Sequence, residues 1–171
     1  MNAQLLLLTA TGVYLVYLCG AVYFTRATAC RVLAALAGGA AVAVAGFGVE
    51  LVCQGLGLWH YPSDNSGRGP LLMYPGLCLL WAVLGLIGWR VVRRFGLRGE
   101  AIFLVLVALL GTLRDYLVAG QALRFIALTP GPVTVVVDIV CWAGLTALAQ
   151  AVMWLVAGPA AADPLARRLR D

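Results

Sequence analysis

Four ionisable residues lie inside long apolar runs of this chain: Glu50, Arg114, Asp115 and Asp138. Charged groups in apolar surroundings are costly, and those that persist usually face an interior cavity with a function. Three carboxyl groups against one guanidinium leave two uncompensated negative charges if all of them ionise, which a dry site does not tolerate. We therefore expect at least one carboxyl to be neutral at physiological pH. Such an acid beside an apolar cavity can act as a general acid that protonates an epoxide, an alkene or a leaving group.

The adjacency of Arg114 and Asp115 affects how these charges pair. Neighbouring residues point about 100° apart around a helix, so the two are predicted to be poor partners for each other. We expect Arg114 to reach an acid on another helix instead.

Aromatic residues near these charges supply the second chemical signal. Aromatic faces stabilise cations, which suits a carbocation intermediate. The candidate substrate-binding aromatics are Trp59, Tyr61, Tyr74, Trp81 and Trp142. Trp and Tyr also collect at membrane interfaces, which is the competing interpretation for Trp59, Tyr61 and Tyr74. Core packing is the alternative for Trp81.

Two polar residues complete the candidate site. Gln54 follows Glu50 by one helical turn and is predicted to hold its carboxyl by a hydrogen bond. His60 is the only histidine, and it is either a proton relay between water and Glu50 or a surface residue bonded to loop carbonyls. Asp64 and Asn65 are interpreted as turn residues.

Composition fixes the class of protein that must position these groups. Hydrophobic residues make up 63% of the 171 residues and charged residues 11%, and the mean hydropathy is +0.98. An ordinary soluble domain is about half apolar, so we expect an integral membrane protein. The net charge of +5 comes from arginines that mark topology, and no nucleic-acid partner is predicted.

The predicted fold is all-α, a single membrane domain over residues 1–171 built as a polytopic helical bundle. Five segments are long enough to cross a hydrocarbon layer of about 30 Å. They are predicted near 4–24, 32–56, 71–92, 101–123 and 132–157. Paired glycines such as Gly38 and Gly39 are interpreted as positions where neighbouring helices approach closely.

Arginines alternate between the two ends of the predicted spans. Nine lie on one side, namely Arg26, Arg31, Arg90, Arg93, Arg94, Arg98, Arg167, Arg168 and Arg170. Only Arg68 and Arg124 lie on the other. The positive-inside rule then predicts the N-terminus outside and the C-terminus inside, with residues 158–171 as a short cytoplasmic tail. At about 1.5 Å per residue, all four buried charges fall in the outer half of a bacterial-type cytoplasmic membrane.

Metal and cofactor chemistry find little support in the sequence. The five cysteines show no CxxC spacing, and we interpret them as small packed hydrophobes. With one histidine, a metal cluster would need carboxylates from separate helices. We therefore predict no metal and no cofactor.

The stretch around Glu50 resembles a known layout. An acid inside a helix is followed by Gly55, Gly57, Trp59 and Tyr61, then by a polar loop and a helix that contains Trp81. This order resembles small integral-membrane carotenoid cyclases and hydratases. The acids on an early helix and on the last one also resemble membrane terpene cyclases of meroterpenoid pathways. That resemblance implies that Glu50 and Asp138 protonate a terminal epoxide or alkene of a polyprenyl chain.

Three functional hypotheses follow. The first is an isoprenoid-modifying membrane enzyme, a cyclase or hydratase, whose lipophilic substrate enters from the membrane lipid. Glu50 or Asp138 would donate the proton, Asp115 would act as base or second acid, and Arg114 would balance the charge. The second is a proton-coupled transporter or permease subunit, and the third is an assembly partner without chemistry. Whether one chain encloses the pocket or pairs with a second copy stays open.

Overall fold

The computed structural model describes residues 3–62 and 70–160. Within them lie four α-helices, α1 (Ala3–Thr25), α2 (Ala29–Gly55), α3 (Met73–Arg114) and α4 (Pro132–Ala157). A π-helical segment, Asp115–Ala122, continues α3. All four helices are long and apolar enough to span a membrane. The predicted all-α class is therefore confirmed for the described part of the chain.

The third helix differs from the prediction, because the segments expected at 71–92 and 101–123 belong to one helical element. Gly96 interrupts it with φ 67° and ψ −161°, a backbone conformation that glycine adopts without strain. The backbone of Gly88 lies against the ring of Phe103. An unbroken helix, rising about 1.5 Å per residue, would hold them more than about 20 Å apart. The chain thus folds back at Gly96, and we call residues 73–95 the first arm and 97–122 the second arm.

Glycines let α2 pack closely against its neighbours. A Cβ at Gly38 would clash with the backbone carbonyl of Ala149 in α4, and one at Gly39 would clash with that of Cys78 in the first arm. These contacts confirm the interpretation of the Gly38–Gly39 pair. The close approach fixes the positions of α2, α3 and α4 around the buried core.

Arginines cluster at the end of the bundle where Gly96 lies, called here the Gly96 end. Arg31 and Arg93 both lie over the Trp89 ring, with guanidinium carbons 5.2 Å and 4.6 Å from its centroid. Arg90 donates a hydrogen bond to the carbonyl of Phe24 near the end of α1. The last residues of α1, the start of α2 and the fold-back of α3 therefore share one end of the bundle.

The opposite end carries a feature that the sequence pattern did not predict. Two short strands, β1 (Trp59–His60) and β2 (Ala127–Leu128), pair antiparallel with Trp59 opposite Leu128. We call this the strand end. Helix α2 ends at Gly55, within one residue of the end of the predicted span 32–56, and Trp59 belongs to β1. The predicted turn at Asp64 and Asn65, and the tail arginines, lie outside the described residues; so does Arg68.

Candidate functional site

A cavity of about 280 Å³ lies in the bundle beneath the strand end. Its wall includes Glu50 of α2, Asp138 of α4 and the adjacent pair Arg114 and Asp115. The four residues singled out by charge therefore line one cavity. The rest of the wall is mostly apolar and includes side chains from α1 such as Leu7. The arrangement places three carboxyl groups around an apolar space.

Both carboxylate oxygens of Glu50 accept hydrogen bonds. The indole Nε1 of Trp59 donates to Oε2 and the Tyr61 hydroxyl donates to Oε1, each at 2.7 Å. Burial, followed by the charge of Glu50, raises the pKa of the Tyr61 phenol. Tyr61 therefore stays protonated and can keep donating.

The turn after α2 explains why Trp59 and Tyr61 reach back to Glu50. The amide of Leu58 donates to the carbonyl of Cys53 and that of Gly57 to Gln54, each at 2.9 Å. Gly57 has φ +70°. This is a Schellman C-cap, in which glycine takes the left-handed position and the chain reverses direction. The reversal lays β1 over the last turn of α2.

Asp115 is held by two donors as well. Arg114 Nη1 donates to Oδ1 at 2.7 Å, and Trp142 Nε1 donates to Oδ2 at 2.8 Å. The prediction that Arg114 and Asp115 are poor partners, with Arg114 pairing an acid on another helix, is therefore wrong. The long, flexible arginine side chain spans the angle between adjacent positions. Arg114 Nη2 also donates to the Tyr14 hydroxyl in α1 at 3.2 Å.

Two tryptophans form an aromatic wall beside these charges. The rings of Trp81 and Trp142 stack with centroids 4.9 Å apart and planes 19° apart. Trp142 has room because Gly111 lies beneath its ring, where a Cβ would clash with it. Both tryptophans are buried. The stack presents aromatic surface to the cavity next to Asp115.

Asp138 differs from the other two acids. Its side chain is 6% exposed, and its Oδ2 atom is buried with no hydrogen-bond partner among the described residues. The Thr112 hydroxyl lies beside this carboxyl, yet it too has no bonding partner in the described part. Asp138 is thus the one cavity acid with a carboxyl oxygen that no described group satisfies.

The predicted substrate-binding residues divide into two groups. Trp59, Tyr61, Trp81 and Trp142 line the cavity, whereas His60, Tyr74 and Gln54 are not part of its described wall. Side chains alternate along a strand, so the burial of Trp59 and Tyr61 leaves His60 exposed on the other face.

Tyr74 and Gln54 lie near the site without lining it. The Tyr74 ring packs edge-to-face on Phe47, 5.7 Å between centroids. Gln54 lies within interaction range of Glu50, but its amide nitrogen is buried without a partner among the described residues. The predicted hydrogen bond from Gln54 to Glu50 stays a prediction.

Several residues of the site escaped the sequence reasoning. Tyr14 anchors Arg114 from α1, and Thr112 lies next to Asp138. Each is a polar residue in an otherwise apolar helical run, the same signal that marked the acids.

The five cysteines, all in the described part, are free thiols. The described residues contain no group of His, Cys, Asp or Glu suited to hold a metal ion.

Comparison with known proteins adds no relative to this picture. No protein-family model, curated protein or solved structure matches the chain. The functional assignment must therefore come from the geometry of the cavity.

Proposed function

We propose that the chain is an integral membrane enzyme that protonates an isoprenoid or terpenoid chain and so initiates its cyclisation or hydration. One observation carries the proposal: Asp138 lines an apolar, tryptophan-walled cavity with a buried oxygen that no described group satisfies. A protonated carboxyl can donate from such a position, whereas a buried carboxylate oxygen without a donor is costly. Asp138 is thus the proton donor of the site.

The hydrogen bonds to the other two acids support this division of roles. Glu50 accepts from Trp59 and Tyr61, and Asp115 accepts from Arg114 and Trp142. Donors aimed at both oxygens favour the ionised form of a carboxyl group. Two carboxylates and one guanidinium leave one uncompensated negative charge. Proton donation by Asp138 adds a second negative charge, and together the two stabilise the single positive charge of a carbocation formed in the cavity.

The reaction begins when the proton of Asp138 adds to a terminal alkene carbon, or to an epoxide oxygen whose C–O bond then breaks. The resulting cation lies beside the stacked rings of Trp81 and Trp142, whose π electrons stabilise positive charge. In cyclisation, an internal alkene forms the ring C–C bond and a neighbouring carbon loses a proton. In hydration, water forms a C–O bond and loses a proton. Asp115 or Glu50 accepts that proton as the base.

The placement of this site in a membrane is part of the same proposal. We propose that α3 crosses twice, once with each arm, so that the chain makes five passages through a bacterial-type cytoplasmic membrane. The fold-back at Gly96 and the clustering of Arg31, Arg90 and Arg93 at that end support this count. By the positive-inside rule the Gly96 end faces the cytoplasm, and the cavity lies in the outer half of the bilayer. The substrate enters laterally from lipid, past the apolar residues of α1.

The test is turnover by the purified protein in lipid nanodiscs. A panel of polyprenyl chains with terminal alkenes or epoxides is offered, and products are identified by mass spectrometry. Asp138→Asn is expected to lower turnover by at least about 100-fold, the usual contribution of a general acid. Glu100→Gln, which changes an acid that does not line the cavity, serves as the matched control and keeps wild-type turnover.

Either of two outcomes would overturn the proposal. Full turnover by Asp138→Asn would remove Asp138 as the donor. Flux into proteoliposomes that depends on a pH gradient, with substrate recovered unchanged, would indicate proton-coupled transport by the same acids.

A further inference from the structure

Gly46 of α2 is a buried glycine that helix packing does not explain. The described helices contain three buried glycines in α2 and four in α3. A Cβ would lie within 4 Å of an atom from elsewhere in the chain at six of them, namely Gly38, Gly39, Gly76, Gly85, Gly88 and Gly111. A Cβ at Gly46 would have no described atom within 4 Å. Glycine inside a helix is less favourable than alanine, so this position indicates a role other than close packing.

The empty position faces the cavity. Gly46 lines it together with Val42 and Glu50, which lie about one turn before and one turn after it on the same face of α2. The missing side chain leaves a recess between these two residues, called here the Gly46 recess, where the cavity reaches the backbone of α2. Gly76 also lines the cavity, but a Cβ there would lie 3.2 Å from the Thr11 hydroxyl oxygen. Of the two glycines in the described wall, only Gly46 therefore opens such a recess.

A small apolar group fits the Gly46 recess. Carbon atoms in van der Waals contact lie about 3.5–4.0 Å apart, and no described atom approaches the Cβ position of Gly46 that closely. Backbone groups inside a helix are hydrogen-bonded to each other. Both carboxylate oxygens of Glu50 already accept hydrogen bonds, from Trp59 and Tyr61. The recess thus presents apolar surface, which favours a hydrocarbon group over water.

We infer that Gly46 is a specificity-determining residue of the cavity, and that its recess receives a methyl branch at the end of the bound chain. Such branches distinguish an isoprenoid from an unbranched hydrocarbon. The identity of the chain as a substrate rests on the proposed function, whereas the preference for a branched end is a property of binding alone. A side chain at position 46 fills the recess, so a branched chain loses this contact and a linear chain does not.

Binding of two inert probes to the purified protein in nanodiscs tests the inference. Both are saturated bromoalkanes with the same number of carbons, one ending in a geminal dimethyl group and one unbranched. Bromine quenches nearby indoles, and Trp81 and Trp142 line the cavity, so saturable quenching of tryptophan fluorescence measures binding. We expect wild type to bind the branched probe more tightly. Accommodation of one carbon in an apolar pocket changes affinity by about ten-fold or more, so Gly46→Ala should reduce the preference by about ten-fold.

Gly48→Ala is the matched control. Gly48 lies two residues further along α2, it is exposed, and a Cβ there also has no described atom within 4 Å. It is not part of the described cavity wall, so the variant should keep the wild-type preference. The melting temperature of Gly46→Ala should equal or exceed that of wild type, because alanine favours the helix and its Cβ meets no described atom.

Three results would overturn the inference. They are an unchanged preference in Gly46→Ala, equal binding of the two probes by wild type, and a lower melting temperature of Gly46→Ala, which would show that the Cβ position is already occupied.

The outcomes for the proposed function are separate. A preference that falls as expected, together with full turnover by Asp138→Asn, would uphold the Gly46 recess and overturn the proposed function. An unchanged preference in Gly46→Ala, together with loss of turnover in Asp138→Asn, would overturn the role of the recess while the proposed function would stand.

Discussion

The indole Nε1 of Trp142 donates a 2.8 Å hydrogen bond to Oδ2 of Asp115, which joins α4 to the first residue of the π-helical segment. The same indole stacks on Trp81 of the first arm. One side chain therefore links both arms of α3 with α4. The position of the Asp115 carboxylate depends on this link as much as on its ion pair with Arg114.

Replacement of Trp142 tests the link. Trp142→Phe keeps an aromatic ring but removes the donor to Asp115, and hydrogen bonds to charged groups contribute about 1.5–3 kcal/mol. We expect a loss of that size in the free energy of unfolding, measured by denaturant titration in detergent. Trp154→Phe, on the same helix but 59% exposed, is the matched control. Equal losses in the two variants would contradict a specific role for the Trp142 donor.

Gly111 is expected to be intolerant of a side chain. The Cβ of Gly111→Ala would clash with the Trp142 ring, so the ring must shift relative to Trp81 and Asp115. We predict a lower melting temperature and a changed tryptophan fluorescence spectrum. Gly144→Ala adds its Cβ where no atom lies within 4 Å, and alanine favours the helix. If Gly144→Ala destabilised the protein as much as Gly111→Ala, steric contact with Trp142 would not be the cause.

Glu50→Gln separates charge from hydrogen bonding. The glutamine oxygen can accept from Trp59, and its amide can donate to the Tyr61 hydroxyl, which accepts as well as donates. We expect a melting temperature near that of wild type. Glu50→Leu leaves the buried Trp59 N–H unpaired and should cost about 1–3 kcal/mol of unfolding free energy. Similar stabilities for the leucine and glutamine variants would contradict the hydrogen-bond geometry at Glu50.

The fold-back of α3 depends on Gly96. Its φ of 67° and ψ of −161° lie in a region essentially restricted to glycine, where another residue costs about 1–3 kcal/mol. Gly96→Ala is predicted to lower the unfolding free energy by that amount. Gly12→Ala, in the interior of α1 with no atom within 4 Å of the added Cβ, is expected to be neutral or stabilising. A harmless Gly96→Ala would indicate that the two arms do not need this turn.

Alkaline pH is expected to act through Tyr61. Burial raises the pKa of its phenol, whereas an unfolded tyrosine ionises near about pH 10. The folded state then keeps a proton that the unfolded state loses, so this contribution is complete below about pH 10 and declines above it. Between about pH 8 and 11, the melting temperature of Tyr61→Phe should fall less steeply with increasing pH than that of the wild type. Tyr23→Phe, at a residue 78% exposed, should retain the wild-type slope.

The sequence by itself determined the class of the protein and the charged residues of the cavity. Apolar runs of membrane length can be recognised from composition alone. A charged residue within such a run needs polar partners in the interior of the bundle. For that reason the sequence singles out Glu50, Arg114, Asp115 and Asp138 together. The small residues Gly38 and Gly39 likewise indicate close helix packing.

Only the tertiary structure decided how these residues pair. The ion pair of Arg114 with its own neighbour, the outward side of His60 and the unpartnered oxygen of Asp138 all depend on how helices rotate against one another. That rotation follows from contacts between distant residues, such as Gly111 beneath Trp142 and β1 against β2. The local periodicity of the sequence does not predict such contacts. Residue types therefore identified the charged groups of the cavity, and packing decided which of their carboxyl oxygens have hydrogen-bond donors among the described residues.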